Sequence, residues 1–257
     1  VAAERGHRVV LAEASDRLGG QFRLAGQQPR RAQILDLLEW YRRQLEKLGV
    51  DLRHNTYLDA GDIAAFGADR VILATGSLPA GTGFQRALPH LPNLPGLDGN
   101  VWSVEDVMGR AARLGKRVIV LDEGGNWRGC GTAWSLAEAG HDVTIVTPDA
   151  LVGKELQRTT ADVPLRRTLA RLGARFATET AVTRWSVDGA STISLLTGEK
   201  GHVEADSLVL ATANMTDPDL PAALSELGVE AGLAGDGHAP RNAALAFHDG
   251  RRLALSL

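Results

Sequence analysis

The chain has 257 residues, 44% of them hydrophobic, enough to fill the core of one large α/β domain or of two smaller lobes. Its 28 basic and 31 acidic residues are interspersed, and a formal net charge of -3 leaves no broad positive face for nucleic acid or anionic lipid. A single cysteine, Cys130, excludes an internal disulfide framework and a cysteine cluster for zinc or iron–sulfur, which fits a reducing, cytoplasmic setting, and no apolar run reaches the ~18 residues of a membrane span.

The opening "VAAERGHRVVLAEASDRLGG" reads as the end of a helix, a turn at Gly6 and a strand over residues 9–12, followed by Glu13 and the pair Gly19-Gly20. Ile34, Leu37, Leu38, Tyr41, Leu45 and Leu48 recur at helical spacing and predict a covering helix ended by Gly49, before a strand over 50–53. A strand over 71–74 ends in Ala74, Thr75 and Gly76, and the Pro- and Gly-rich stretch 79–99 predicts a linker. Further strands follow at 118–121, 143–146 and 208–211; like those at 9–12 and 71–74 they are β-branched and unalternating, as expected of parallel strands buried on both faces. Between Arg175 and Asp206 the pattern alternates around Gly189, Gly198 and Gly201, which predicts an antiparallel meander.

An internal repeat organises these elements. "AERGHRVVLAEASDRLGGQ" from Ala3 resembles "AEAGHDVTIVTPDALVGKE" from Ala137, and "KLGVDLRHNT" then "ADRVILATG" in the first half answer "RLGARFATET" then "ADSLVLATA" in the second. Two copies of one α/β unit explain a shared order of this length. The second copy also holds "RVIVLDEGGNWRGCGTAWSLAEAGHDVTIVT", the strand, glycine turn, helix and strand of a dinucleotide-binding unit, with Gly124, Asn126 and Gly129 at the three glycine positions. Asn126 puts a side chain where the pyrophosphate would approach backbone. The alignment sets Val1 opposite Ser135, so the first copy is expected to be N-terminally truncated, lacking the opening strand and glycine loop, and to hold FAD poorly by itself. It also sets Glu13 opposite Thr147: an acid at this strand end accepts both ribose hydroxyls, which a threonine cannot do.

"VLAEASDRLGGQFRLA", "LGVDLRHNT", "ADRVILATGSLP" and the terminal "GDGHAPRNAALAFHDGRRLAL" resemble the C-terminal half of the Old Yellow Enzyme-like NADH:flavin oxidoreductases, a group that includes 2,4-dienoyl-CoA reductase, trimethylamine and histamine dehydrogenases and N-methylproline demethylase-type proteins. The resemblance covers nearly the whole chain. It implies two Rossmann-like nucleotide-binding domains of glutathione-reductase type, in three layers with parallel sheets and a β-meander. The expected division is an FAD- or ADP-binding domain over 1–107 and 213–257, with an NAD(P)-binding-like domain of degenerate motif inserted over 108–212. It further implies FMN and a 4Fe-4S cluster on an N-terminal TIM barrel that is not in this sequence, leaves NAD(P)H uncertain, and allows an electron-transferring flavoprotein as partner and a homo-oligomer. By resemblance the FAD or ADP would be bound by Glu13, by Gly19, Gly20 and Gln21, by Ala74, Thr75 and Gly76, and by Gly235 and Asp236, with Ala239, Pro240 and Arg241 at the following helix start. The family's usual residues are not at Gly237 and His238. No catalytic residue and no metal ligand is assigned to this half.

Two electron routes stay open: amine dehydrogenation or N-demethylation with electrons leaving through a carrier, which Asn126 and Thr147 favour, and NAD(P)H-dependent enoate or dienoyl-CoA reduction. A non-catalytic ADP-holding module that docks an electron-transfer partner is the third reading. Cys130 reads as a small residue at a close-packed position, with a thiol activated by a helix start as its rival. Thr75 and Thr212 read as strand-end hydroxyls, Trp127 and Trp134 as packing residues, His7 and His141 as turn residues, and Arg166 and Arg167 as a solvated helix face.

Overall fold

The computed structural model describes residues 1–257, and short apolar runs bounded by glycine alternate with helices along all of it. In chain order the elements are β1 (Val10–Ala12), α1 (Gly20–Gly26), α2 (Asp36–Lys47), β2 (Asp51–Arg53), α3 (Ala60–Phe66), β3 (Val71–Leu73), β4 (Leu78–Pro79), β5 (Val101–Ser103), α4 (Val104–Met108), β6 (Arg117–Asp122), α5 (Trp127–Glu138) and β7 (Asp142–Val146). They continue with α6 (Asp162–Arg171), β8 (Arg175–Ala177), β9 (Thr180–Ser186), β10 (Gly189–Ser194), β11 (Lys200–Glu204), β12 (Ser207–Ala211), β13 (Asn214–Met215), α7 (Asp219–Glu226), β14 (Ala231–Leu233) and α8 (Ala243–Leu255). The chain forms two compact units: unit 1 comprises Val1–Arg23, Gln33–Leu78 and Asn214–Leu257, and unit 2 comprises Leu24–Ala32 and Pro79–Ala213.

Unit 2 is built on a five-stranded sheet, order β5-β12-β6-β7-β8, whose neighbours are all parallel. Successive side chains of a strand point to opposite faces, and β6 supplies both. Val118 and Val120 enter a core with Cys130, Ala133 and Leu136 of α5 and Leu165 and Leu169 of α6. Ile119 and Leu121 enter a second core with Val182, Trp185 and Ala190 of the antiparallel sheet β11-β10-β9. Helices, parallel sheet and meander are therefore three layers. The meander starts at Thr180; Arg175–Ala177 pairs parallel with β7 instead, so the alternating stretch covers one parallel strand as well as the meander.

The stretch 79–99 is not a linker. Leu94, 3% exposed, is part of the meander-side core, and the Gln85 side chain clips the backbone of Val182, donating to its carbonyl at 2.6 Å and accepting from its amide at 2.8 Å. The Pro95 carbonyl takes the Trp185 amide at 2.9 Å. Proline and glycine interrupt regular structure without preventing burial, so the boundary expected at 107/108 falls at 78/79. Residues 24–32 join unit 2 as well: Leu24 packs on the helix-side core, the Gln28 side chain donates to the Trp127 carbonyl at 2.8 Å, and the Arg31 guanidinium lies 4.5 Å from the Trp127 ring centre. At the other end the boundary is 213/214, and the two ends of the 79–213 stretch meet where the Ala80 amide donates to the Ala213 carbonyl at 3.2 Å.

Unit 1 pairs β1 with β2 and β3 with β14, both parallel, as two separate two-stranded sheets. Matched through the repeat, β1, β2 and β3 stand for β7, β8 and β12, and β14 lies beside β3 as β5 lies beside β12. Nothing in unit 1 stands for β6, the central strand of the other sheet. The strands at 9–12 and 71–74 are accordingly not buried on both faces: no residue of β1 is buried and Ile72 is 39% exposed. Helical cover substitutes in part. Leu253 of α8 sits so close to Gly232 of β14 that a Cβ there would lie 2.9 Å from it, the Arg5 guanidinium donates to the Ala254 carbonyl at 2.8 Å, and Phe247 meets the rings of Phe22 and Tyr41.

Candidate nucleotide crevice

Glycine at strand ends and an acid after the first strand are what a nucleotide needs for close backbone approach and ribose hydrogen bonding. Glu13 follows β1 directly. Its amide donates to the Arg53 carbonyl at 2.9 Å, extending the β1–β2 ladder, and its Oε1 accepts from the Ser15 amide and hydroxyl, both at 2.8 Å. The carboxylate is thereby pinned by one oxygen, and Oε2 makes no hydrogen bond to the chain.

Gly19 and Gly20 both have positive φ, 115° and 41°, a region that side chains disfavour. A Cβ on Gly19 would lie 2.5 Å from Leu38 of α2, whereas one on Gly20 would meet nothing within 4 Å. Gly19 is thus required by packing, and Gly20 opens α1 with free space before it. Gly76, φ 78°, also faces open space.

One polar network gathers residues that follow β1, β3 and β14. The Gln21 amide nitrogen donates to the Ser77 carbonyl at 2.6 Å, the Ser77 hydroxyl donates to Asp236 Oδ2 at 2.9 Å, and Asn214 donates to the Ser77 hydroxyl at 3.1 Å. Asp236 Oδ1 accepts the Arg241 amide at 3.1 Å. Gly237 packs against Thr75, whose hydroxyl would be 3.3 Å from a Cβ there, and the Ala234 amide donates to the Leu73 carbonyl at 2.9 Å. The structure therefore brings Gln21, Ala74–Gly76, Gly235–Asp236 and Arg241 into one region of unit 1. Sequence reading missed Ser77 and Asn214, which tie this region together; the only signal was their place just past the "ATG" and "ATA" repeats.

Ala239, Pro240 and Arg241 do not start the helix. Asn242 is the N-cap of α8, its side chain accepting from the Leu245 amide at 3.1 Å, because an amide oxygen on the cap residue satisfies a first-turn donor that Pro240 cannot. The Arg241 guanidinium is paired with Asp249 inside α8. Burial pushes the Asp249 carboxyl up, but the Arg241 charge and the Gly235 amide outweigh it and hold it below the ordinary value.

The corresponding end of unit 2 is filled by its own side chains. Asp122, fully buried at the end of β6, accepts the amides of Gly124 and Gly125 on Oδ1 at 3.1 and 3.0 Å, and Oδ2 lies 3.3 Å from the Cys130 sulfur. Burial pushes the Asp122 carboxyl up to about 6, and burial together with Asp122 pushes the Cys130 thiol up, so the packed-residue reading of Cys130 holds and the activated-thiol reading does not. Asn126 caps α5, accepting the Arg128 amide at 2.8 Å. Thr147, opposite Glu13 in the repeat, is buried and turned toward the Asp149 amide at 3.3 Å. His141 closes a turn against the Gly115 carbonyl at 2.8 Å, Trp127 and Trp134 pack on the helix-side core, and Arg166 is not simply solvated but paired with buried Asp162 at 3.0 Å. No group of His, Cys, Asp or Glu could hold a metal ion, and no helix is long and apolar enough to cross a membrane.

A match to the pyridine nucleotide-disulphide oxidoreductase family spans residues 2–236. The chain belongs to that family. Its relatives are flavin-dependent oxidoreductases: it is 37% identical over 176 residues to the probable N-methylproline demethylase of Rhizobium meliloti, covering 68% of this chain and 24% of that protein. It is 39% identical over 165 residues to the N,N-dimethylglycine/sarcosine dehydrogenase of Chromohalobacter salexigens, covering 62% of this chain and 23% of the relative. The structure of histamine dehydrogenase from Rhizobium sp. 4-9 superposes with a TM-score of 0.94 at 26% identity, covering 100% of this chain and 41% of that one. The chain thus spans about a quarter of the curated relatives and two-fifths of that structure. The chain holds a single cysteine, so no redox dithiol forms within it.

Proposed function

We propose that this chain is the nucleotide-binding and electron-transfer half of a flavin-dependent amine dehydrogenase or N-demethylase, and that FAD, or ADP in the same site, is held by unit 1. The carrying observation is the asymmetry of the two crevices. Unit 1 keeps an acid with a free oxygen at Glu13 and open glycines at Gly20 and Gly76, while the loop amides of unit 2 are already bonded to Asp122 and Asn126.

The residues of unit 1 fit such a group. Glu13 would accept ribose hydroxyls, Gly19, Gly20 and Gln21 and the Ala74–Gly76 turn would let it lie against backbone, and Gly235, Asp236 and the Ala239–Arg241 stretch would border it. Bound flavin supplies reversible electron storage; the chain's part is to bind and orient it. Ser77, Asn214 and Asp236 fix the turns that flank it. Substrate oxidation, FMN and a 4Fe-4S cluster would lie on a further domain of a longer, cytoplasmic protein, with an electron-transferring flavoprotein as acceptor.

Two measurements test this. Nucleotide extracted from the full-length protein should be FAD or ADP, and finding neither rejects the reading. Mixing that protein with NADH or NADPH should leave its flavin oxidised, whereas rapid bleaching supports the dienoyl-CoA reductase-like route instead. ADP without any flavin in the protein would favour the non-catalytic module.

A further inference from the structure

We propose that the Asp122 carboxylate is an internal anion that takes the pyrophosphate's place in the glycine loop of unit 2, so that this unit is closed to NADH, NADPH and other dinucleotides by its own side chain. The proposal deepens the reading above and rests on it for the claim that electrons arrive by another route. In a working strand-loop-helix unit, unpaired amides at the loop and first helical turn meet the phosphates. Here the amides of Gly124 and Gly125 converge on Asp122 Oδ1 at 3.1 and 3.0 Å, and the Arg128 amide goes to Asn126 at 2.8 Å.

The surrounding packing is built around that carboxylate. A Cβ on Gly129 would lie 2.5 Å from Asp122 Oδ1 and 3.1 Å from the Ala211 Cβ, so the third glycine of the motif makes room for the acid rather than only for helix–strand contact. Cys130 holds the other oxygen from inside the helix. Charge adds to geometry. A phosphate would also meet Glu123, whose Oε1 is buried without a partner, and Asp149, which is buried. The cations beside these acids are committed to them: Arg86 to Asp149 at 2.7 Å and to Glu123 at 3.7 Å, and Lys154 to Asp149 at 3.1 Å. Like charges and occupied donors exclude a dinucleotide without any loss of the fold.

The test uses the full-length protein with unit 1 saturated by its own flavin or ADP, which is quantified separately by absorbance and chromatography. A protein without nucleotide therefore fails the functional reading and not this one. Titration calorimetry with NADH and NADPH should show no binding tighter than millimolar in the native protein. Asp122→Gly, alone or with Glu123→Gly and Asn126→Gly, should tighten binding by at least about tenfold. Micromolar binding of either dinucleotide by the native protein overturns the proposal, as does a folded triple variant that binds no better than native. If the glycine variants do not fold, amide hydrogen exchange of the native protein decides: inorganic pyrophosphate should leave exchange across residues 122–129 unchanged, and protection of that segment overturns the proposal.

Discussion

Units 1 and 2 share the sequence signals and turn positions of the internal repeat, yet only unit 2 has a closed core. In unit 2 the central strand β6 is flanked by β12 and β7 and sends alternate residues into two apolar clusters, and every residue of both clusters belongs to that unit. Unit 1 has two pairs of strands without a middle, and of the largest fully buried side chains it holds only Leu224. The functional signals run the other way: the unit with the open carboxylate and open glycines is the less packed one. A nucleotide crevice needs donors and acceptors left unpaired, whereas a core needs them satisfied.

The largest expected effect separates the units by stability. Ile119→Ala in β6 should cost about 3–4 kcal/mol, while Ile72→Ala in β3 should cost under about 1 kcal/mol. Urea unfolding followed by tryptophan emission reports this well, since Trp102, Trp127, Trp134 and Trp185 are all in unit 2 and only Trp40 is in unit 1. Equal costs would break the comparison. A somewhat smaller effect is electrostatic. The Asp122 carboxyl titrates at about 6 in the folded chain against an ordinary 3.8, so the folded state binds the extra proton in that window. Stability contributed at Asp122 therefore falls as pH rises from about 4 to 6, by at most roughly 3 kcal/mol, and is level above it. Asp122→Asn should remove this slope in urea midpoints measured across pH, and an unchanged slope would refute the assignment. Asp249 in unit 1 has the opposite sign: held low by Arg241, it loses its stabilising contribution as pH falls through the folded value.

Gln85→Ala should come next, at about 2 kcal/mol, because it leaves the buried amide and carbonyl of Val182 without the glutamine that serves them; thermal melts check it, and a neutral result would return 79–99 to the status of a linker. The smallest expected effect is functional and confined to unit 1. Glu13→Gln should weaken FAD or ADP retention by about tenfold, and Thr147→Val at the equivalent position of unit 2 should leave it unchanged. Equilibrium dialysis of the two variants compares them directly.

What the sequence disclosed follows the same division. The strands at 118–121, 143–146 and 208–211 were legible down to their burial, since apolar letters on both faces have one stable placement. Those at 9–12 and 71–74 were legible in position but not in burial, because burial depends on a neighbouring strand and not on the strand's own residues. Glu13 emerged from aligning the halves, and Gly19 and Gly20 from the family resemblance. Gln85 and Asp122 did not, being polar letters whose work is done across about a hundred residues in one case and within a single buried loop in the other. Asn242 displaced Pro240 at the helix start for a reason visible in sequence: a side-chain acceptor just before "AALAF".

The bond between Ala80 and Ala213 bears on the order of folding. Unit 1 is assembled from segments on either side of the 79–213 stretch, and closing a flexible loop of that length costs on the order of 4 kcal/mol of chain entropy. Once unit 2 has folded, its two ends are one hydrogen bond apart and that cost is already met. Unit 2 should therefore reach its native state first, and the segments of unit 1 that flank it then start from chain ends already held together, so the formation of the proposed nucleotide crevice kinetically follows the folding of the unit proposed to be closed to dinucleotides.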